Sequence, residues 1–345
     1  MRKRIRDYGI IIGKHRPGAL NKITDVPGVQ VGHATVDTED HKTGVTVILP
    51  CEDNPFVNKL TAAAYVHNGF GKTTGTLQIA ELGTLETPIA LTNTLNVGLV
   101  QDALVDYMIT KCRAEKVQVS TVNAVVGECN DGFLNRIRER AVGKEEVYQA
   151  IQSASRDFEE GDVGAGKGTS CFGMKGGIGS ASRILELDGK EFVIGALVQS
   201  NFGSTENFIR EKQKDEGSIM MVIGTDLPVS DRQLYRILRR AGVGLSRCGS
   251  FMGHGSGDIM LGFSTANRFY YKEERAFVPT VILREEALDP VFEAAAEAIE
   301  EAILNSLAMA RTVTGYHGNT RYSFTDLYLE EWERKRKDAD GKGEN

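Results

Sequence analysis

Residues 244–267 read Gly-Leu-Ser-Arg-Cys-Gly-Ser-Phe-Met-Gly-His-Gly-Ser-Gly-Asp-Ile-Met-Leu-Gly-Phe-Ser-Thr-Ala-Asn, a stretch with six glycines and four serines. A segment with helical character ends before it, and a β-like apolar run at 259–261 follows it. Within it, Gly249 leaves its carbonyl open to attack by the hydroxyl of Ser250, which is the geometry of a peptide bond that cleaves itself. A glycine-rich turn between two strands explains the same residues. The stretch alone does not separate these two interpretations.

The composition excludes several classes of protein. The 345 residues carry a net charge of −6, and 41% of them are hydrophobic, values that are ordinary for a soluble globular protein. The acidic balance argues against a nucleic-acid partner, and no apolar run approaches the roughly 20 residues that span a bilayer. The five cysteines are scattered and form no C-x-x-C pair. We therefore expect reduced thiols in a cytoplasmic protein, with no metal and no cofactor.

Strand-like and helix-like segments alternate along the chain, and no repeat or linker divides it. This alternation predicts one α/β domain over residues 1–345. A capping box at Ser230 is predicted to open a helix that reaches about Arg240. Residues 204–217 are expected to form an exposed loop, and the charged tail, 326–345, a helix that frays. The predicted strands include 117–127, 192–201, 219–224 and 278–283.

Three familiar site motifs are incomplete. Lys167 ends a G-x4-G-K run, but Gly168 stands where a phosphate-binding loop needs serine or threonine. The six histidines have no H-E-x-x-H spacing, so a zinc hydrolase is poorly supported. Neither Ser250 nor Ser256 lies in a G-x-S-x-G nucleophile elbow.

Five stretches taken together resemble one family. Their order and spacing are similar to those of the self-processing L-aminopeptidase/D-esterase family, which includes the β-peptidyl aminopeptidases. The similarity runs from about residue 6 to residue 325. The stretches are 43–50 (Thr-Gly-Val-Thr-Val-Ile-Leu-Pro), 91–98 (Leu-Thr-Asn-Thr-Leu-Asn-Val-Gly), 125–132 (Val-Val-Gly-Glu-Cys-Asn-Asp-Gly), 197–203 (Leu-Val-Gln-Ser-Asn-Phe-Gly) and the one from Gly249 to Asn267.

This resemblance implies a four-layer αββα sandwich, like that of the N-terminal-nucleophile hydrolases but with different connectivity. It also implies a cut between Gly249 and Ser250, which would give chains 1–249 and 250–345 that stay associated. Members of the family release N-terminal residues from peptides, amides or esters. We therefore expect a substrate with a free N-terminal amine and a homo-oligomer, a tetramer, of processed pairs.

Ser250 has two successive tasks in this chemistry. Its hydroxyl attacks the Gly249 carbonyl, and water hydrolyses the resulting ester. The new α-amine has an unperturbed pKa of about 7.7–8.0. It can therefore serve as the base near neutral pH, and no histidine is needed.

Three further catalytic candidates come from the resemblance. Ser256 and Asp258 match a serine and an acid that relay protons, and a tight turn at residues 253–255 would set them beside Ser250. A turn serine and a strand-starting aspartate explain the same two residues. Asn201 matches the asparagine that helps to hold the oxyanion, with a strand-capping amide as the alternative.

The substrate side has three candidates. Glu128 matches the glutamate that binds the substrate's ammonium group, since an aminopeptidase needs one anion at a fixed distance from its nucleophile. A solvated loop carboxylate is the alternative for this residue. Asn130 stands where some relatives place an aromatic residue, which puts the substrate-side wall in doubt. Asn93, in a Thr-Asn-Thr loop, is a candidate for lining the pocket.

Two other functions stay open at this point. An acyltransferase of the ornithine acetyltransferase type shares a related scaffold, but it uses threonine at the cut, where this chain has serine. An uncleaved homologue whose glycine-rich loops bind a small ligand is the non-enzymatic alternative.

Overall fold

The computed structural model describes residues 2–204 and 216–334, and two β-sheets form its centre. The smaller sheet has the order β1-β2-β5-β6, and the larger has the order β4-β3-β12-β11-β10-β9. β7 with β8 and β13 with β14 form two short ribbons. The strands are β1 (Gln30–Asp37), β2 (Lys42–Leu49), β3 (Asn58–Gly69), β4 (Thr84–Leu85), β5 (Ile89–Asn93), β6 (Val125–Cys129), β7 (Ser170–Cys171), β8 (Met174–Lys175), β9 (Gly177–Leu187), β10 (Lys190–Phe202), β11 (Glu216–Thr225), β12 (Gly255–Tyr270), β13 (Val313–Thr314) and β14 (Thr320–Arg321).

Helices cover the outer faces of both sheets. α2 and α3 bury apolar side chains such as Leu104 against the smaller sheet, and α4 and α5 bury others, such as Leu238, against the larger one. A third apolar core, which includes Leu91 and Leu261, fills the space between the sheets. The predicted four-layer αββα sandwich is therefore confirmed. The helices are α1 (Thr76–Leu82), α2 (Val97–Ala114), α3 (Lys144–Gln152), α4 (Asp231–Arg247) and α5 (Asp289–Ala308).

β12 lies in the middle of the larger sheet, antiparallel to β3 and parallel to β11. Because β10 is antiparallel to β11, the C-terminal end of β10 lies beside the N-terminal ends of β11 and β12, at one end of the sheet. Asn201, Ser218 and Gly257 consequently share one rung across three strands. β10 and β11 follow each other in the sequence, whereas α4 separates β11 from β12.

α4 is longer than predicted. Its capping box is confirmed. The Ser230 hydroxyl accepts from the Gln233 backbone amide at 3.2 Å, and Gln233 Oε1 accepts from the Ser230 backbone amide at 3.2 Å. The helix then continues past Arg240 to Arg247, so the expectation that it ends before residue 244 was wrong. A Cβ on Gly244 would lie 2.4 Å from the Ala296 carbonyl. The glycine therefore allows α4 to approach α5 closely and does not end the helix.

Two predicted strands were wrong in extent or in kind. In the segment 117–127 only the end is a strand, β6, and Val117, Val119 and Val122 pack instead against a small core around Met108. Residues 278–283 form no strand. The amide group of Asn267 pairs with the Val281 backbone, at 2.8 and 3.1 Å, where a neighbouring strand would otherwise do so.

Other expectations fall partly outside the described residues. The predicted strands 192–201 and 219–224 are confirmed as β10 and β11, each slightly longer than expected. The predicted tail is helical as far as residue 334, and 335–345 lie outside the described part, as do 205–215 of the predicted loop. Within the described ranges, no helix is long and apolar enough to cross a membrane.

Candidate active site

The Gly249-Ser250 dipeptide lies at the junction between α4 and β12. Gly249 has a φ of 107°, in the left-handed half of conformational space that glycine tolerates best. Ser250 is buried, with 3% of its surface exposed. Its hydroxyl accepts a hydrogen bond from the Met252 amide at 3.1 Å, which bends the chain immediately after the dipeptide. The serine is thus held in a tight buried bend between a helix and a central strand.

The predicted turn after the serine is present. The Ser256 amide donates to the Gly253 carbonyl at 2.9 Å, and β12 starts at Gly255. An unpredicted residue, Asn68 at the end of β3, fastens this turn. Its side-chain amide donates to the carbonyls of Gly253 at 2.9 Å, His254 at 3.2 Å and Ser256. The only hint of Asn68 in the sequence is its place in a glycine- and threonine-rich run.

Ser256 and Asp258 form a buried pair on one face of β12. The Ser256 hydroxyl donates to Asp258 Oδ1 at 2.8 Å, and both residues are fully buried. Alternate residues of a strand face the same side, which explains the contact. The structure therefore brings these two predicted residues together, at the strand end nearest the Ser250 bend.

Asn201 lies near the end of β10, on the rung that crosses β11 to Gly257. It is mostly buried, and its Oδ1 accepts from the Ser170 amide at 2.9 Å. This bond fixes the orientation of the side-chain amide, and the donor, Nδ2, faces away from Ser170.

Glu128 reaches the same region from the smaller sheet. It is 4% exposed on β6, and its carboxylate accepts from the Lys72 amide at 2.9 Å and from the Thr94 hydroxyl. A Cβ placed on Gly71 would lie 3.6 Å from Glu128 Oε1 and 2.9 Å from Ile259 Cδ1. A side chain at position 71 would therefore fill the space between the Glu128 carboxylate and the Ile259 side chain of β12.

Cys129, next to Glu128 on β6, has a fully buried thiol. Its Sγ lies 3.4 Å from the Gln199 carbonyl, and burial raises its pKa well above the usual value. Charged groups in such surroundings interact more strongly than they do in water.

The two remaining predicted residues have local partners. Asn93 is buried, and its side chain caps the turn that carries Thr94 by accepting from the amides of Leu95 and Asn96 at 3.1 and 3.2 Å. It therefore supports Glu128 indirectly, through Thr94. Asn130 is exposed, and its oxygen accepts from the Gly132 amide at 3.0 Å.

No group of three or more histidine, cysteine, aspartate or glutamate side chains in the described ranges could hold a metal ion. The chemistry that the site offers is that of its own side chains: a buried serine hydroxyl, a hydrogen-bonded serine–aspartate pair, an amide donor and a second carboxylate. These groups suit attack on a carbonyl carbon. Together with the αββα sandwich, these groups are typical of a hydrolase that uses a serine hydroxyl as its nucleophile.

Comparison with known proteins identifies the family. Residues 21–321 match the model of Peptidase family S58, and the chain belongs to this family. The β-peptidyl aminopeptidase BapA of Sphingosinicella microcystinivorans is 36% identical over 359 aligned residues, which cover 92% of this chain and 88% of that protein.

Two solved structures are similar over nearly their whole length. The PH0078 protein from Pyrococcus horikoshii OT3 is 46% identical with a TM-score of 0.89, covering 96% of this chain and 98% of the other. The L-aminopeptidase D-Ala-esterase/amidase from Ochrobactrum anthropi is 33% identical with a TM-score of 0.88, again over 96% and 98%. That enzyme is described as a prototype for the serine aminopeptidases and a new variant of the Ntn hydrolase fold.

Proposed function

We propose that this chain is an aminopeptidase that first cuts itself between Gly249 and Ser250. The products are chains 1–249 and 250–345, and Ser250 then acts as the nucleophile with its own α-amine as the base. One observation carries the proposal: Ser250 follows a glycine at φ 107° in a buried bend at the head of the central strand. Membership of a peptidase family and the similarity to aminopeptidases support it.

The neighbouring residues have separate roles in this proposal. The Ser256–Asp258 pair relays protons to and from the nucleophile, which its 2.8 Å hydrogen bond and full burial support. Asn201 donates through Nδ2 to the oxyanion that forms on the attacked carbonyl. Glu128 binds the substrate's ammonium group through a charge-assisted hydrogen bond.

The substrate class follows from the Glu128 carboxylate. A buried anion favours a molecule that brings a cation, so the substrates are small peptides, amides or esters with a free N-terminal amine. Asn93 keeps the Thr94 contact of Glu128 in place, and the exposed Asn130 lies at the rim of the substrate site. A panel of L-, D- and β-amino p-nitroanilides identifies the preferred chirality and the position of the amino group.

Location and assembly are part of the same proposal. All five cysteines are free thiols, which fits the reducing cytoplasm. The assembly is a tetramer of processed pairs, and light scattering after size-exclusion chromatography measures its mass.

The decisive experiment compares wild type with Ser250→Ala on denaturing gels and by intact mass. Wild type should give two fragments that meet between residues 249 and 250, whereas Ser250→Ala should give one chain of 345 residues. Ser246→Ala is the matched control, since Ser246 is exposed on α4 four residues earlier; it should process normally. A full-length wild-type chain would refute the proposal. Processing without hydrolysis of any amide or ester would favour acyl transfer instead.

A further inference from the structure

The glycine-rich segment 161–179 is no phosphate loop, and it surrounds a buried lysine. Lys175, on β8, is fully buried. Its ammonium donates to three main-chain carbonyls, those of Gly166 at 2.8 Å, Thr169 at 2.9 Å and Gly176 at 2.6 Å. Together with the bond from the Gly176 amide to the Thr169 carbonyl at 3.1 Å, this side chain closes residues 166–176 into a ring, called here the lysine-centred loop.

This arrangement differs from an ordinary buried ion pair. All three hydrogen bonds of the ammonium go to carbonyl oxygens and none to a carboxylate. Burial lowers the pKa of Lys175 to about 7, against the opposing effect of Asp162. A charge is costly to bury in this way. The three carbonyl acceptors match the three N–H donors of the protonated lysine, which point in different directions from a single nitrogen atom.

The lysine-centred loop packs on the end of β10, where Asn201 lies. The Ser170 amide donates to Asn201 Oδ1 at 2.9 Å, and the Phe172 amide donates to the Phe202 carbonyl at 2.8 Å. A Cβ on Gly176 would lie 2.4 Å from the Ser200 carbonyl, so the two backbones touch directly. Residues 200–202 are therefore contacted by the loop at three successive positions.

Ser170 links the lysine to the asparagine. It is the β-partner of Lys175 in the β7–β8 ribbon, and it is the residue whose amide fixes the orientation of the Asn201 side chain. Without the ammonium, the carbonyls of Gly166, Thr169 and Gly176 lose their common donor. Ser170 would then be held by the bond from Arg321 Nε to its hydroxyl, at 3.0 Å, and by its neighbours in the ribbon.

We propose that Lys175 is a positioning residue: its ammonium holds the lysine-centred loop closed and so directs Asn201 Nδ2 toward the oxyanion. This inference rests on the proposed function, because it takes Asn201 as the oxyanion donor. A displacement of about 1 Å in such a donor is enough to cost roughly 100-fold in rate.

The test measures kcat and KM for Lys175→Met, Asn201→Ala and the double variant, normalised to the processed fraction from intact mass. Asn201→Ala should lower kcat about 100- to 1000-fold. Lys175→Met should lower kcat roughly 10- to 100-fold with KM nearly unchanged. The double variant should be no slower than Asn201→Ala alone, since the lysine acts through the asparagine. Where a variant is processed incompletely, the rate constant of self-cleavage is measured in place of kcat. It should fall least in Lys175→Met and by similar larger amounts in Asn201→Ala and the double variant.

Lys167→Met is the matched control. Lys167 is also buried on this loop, but its ammonium pairs with Asp37 at 2.7 Å and Asp162 at 3.2 Å rather than with loop carbonyls. It should leave kcat within about threefold of wild type. If Lys175→Met does not fold, Lys175→Gln, which keeps two donors, takes its place with the same expectation for the double variant.

The outcomes separate the two proposals. If Asn201→Ala leaves kcat unchanged, the oxyanion role fails and the present inference falls with it. If Asn201→Ala is slow while the lysine variant matches wild type, or if the two effects multiply in the double variant, only the role of Lys175 is overturned. An equal loss of kcat in Lys167→Met would also overturn it, because a general weakening of the loop would then explain the effect.

Discussion

The substitution Glu128→Gln tests how the site selects a free amine. Glutamine keeps the size of the side chain and one oxygen to accept from the Lys72 amide or the Thr94 hydroxyl, but it removes the buried negative charge. A hydrogen bond to a charged group contributes about 1.5–3 kcal/mol. At about 1.4 kcal/mol for each factor of ten, kcat/KM should fall roughly 10- to 150-fold.

The assay compares amino-acid p-nitroanilides with their N-acetylated forms, for wild type and for the variant. Wild type should turn over only the free amine, and Glu128→Gln should reduce that preference without changing the rate of self-cleavage, which involves no ammonium group. Glu81→Gln, at an exposed position on α1, is the control and should change neither. Equal turnover of the acetylated substrate by wild type would refute the reasoning, and so would an unchanged kcat/KM in the variant.

Three further predictions concern folding and processing. Burial lowers the pKa of His33 to about 4. The imidazole takes up a proton below about pH 6.5 in the unfolded chain but only below about pH 4 in the folded one. The free energy of unfolding therefore falls as pH drops from about 6.5 to 4. Urea unfolding of His33→Gln should show a shallower loss over that window, and parallel curves would contradict this. Arg183→Met removes one partner from each of two buried carboxylates, those of Glu297 at 3.0 Å and Glu301 at 2.7 Å. Glu297 keeps the Lys14 amide and Glu301 keeps Arg6. Urea unfolding should show a loss of about 3 kcal/mol, and a loss below about 1 kcal/mol would argue against this. Gly249→Ala puts a side chain at φ 107°, which costs about 1–3 kcal/mol; the two fragments should form more slowly on a gel time course, and an unchanged rate would show that this backbone angle is not needed.

The parts of the site that follow from local sequence could be predicted. Ser256 and Asp258 are two residues apart on a strand, so their shared face requires only the alternation of a β-strand. The capping box at Ser230 likewise involves residues three apart. Gly244 shows the limit of local reasoning, because glycine weakens an isolated helix, whereas here it permits α4 to contact α5 at the Ala296 carbonyl.

The remaining contacts depend on which strands become neighbours. Asn68 meets the turn after Ser250 only because β3 pairs with β12, about 185 residues apart in the chain. The Lys72 amide reaches Glu128 between the two sheets, and neither residue carries a local signal of the other. The contacts of Lys175 have no sequence signal for a similar reason, because its three acceptors are backbone carbonyls, which any residue type could provide.

The position of β12 determines how the processed protein can refold. The strand lies between β3 and β11, and both of these precede Gly249 in the sequence. In the proposed processed protein, the two pieces are joined by hydrogen bonds on both edges of this strand, but the chain no longer tethers them to each other. Refolding then becomes a meeting of two molecules, and its yield depends on protein concentration, whereas the uncut chain folds alone. A processed molecule that has unfolded in dilute solution is therefore expected to refold in lower yield than the uncut chain.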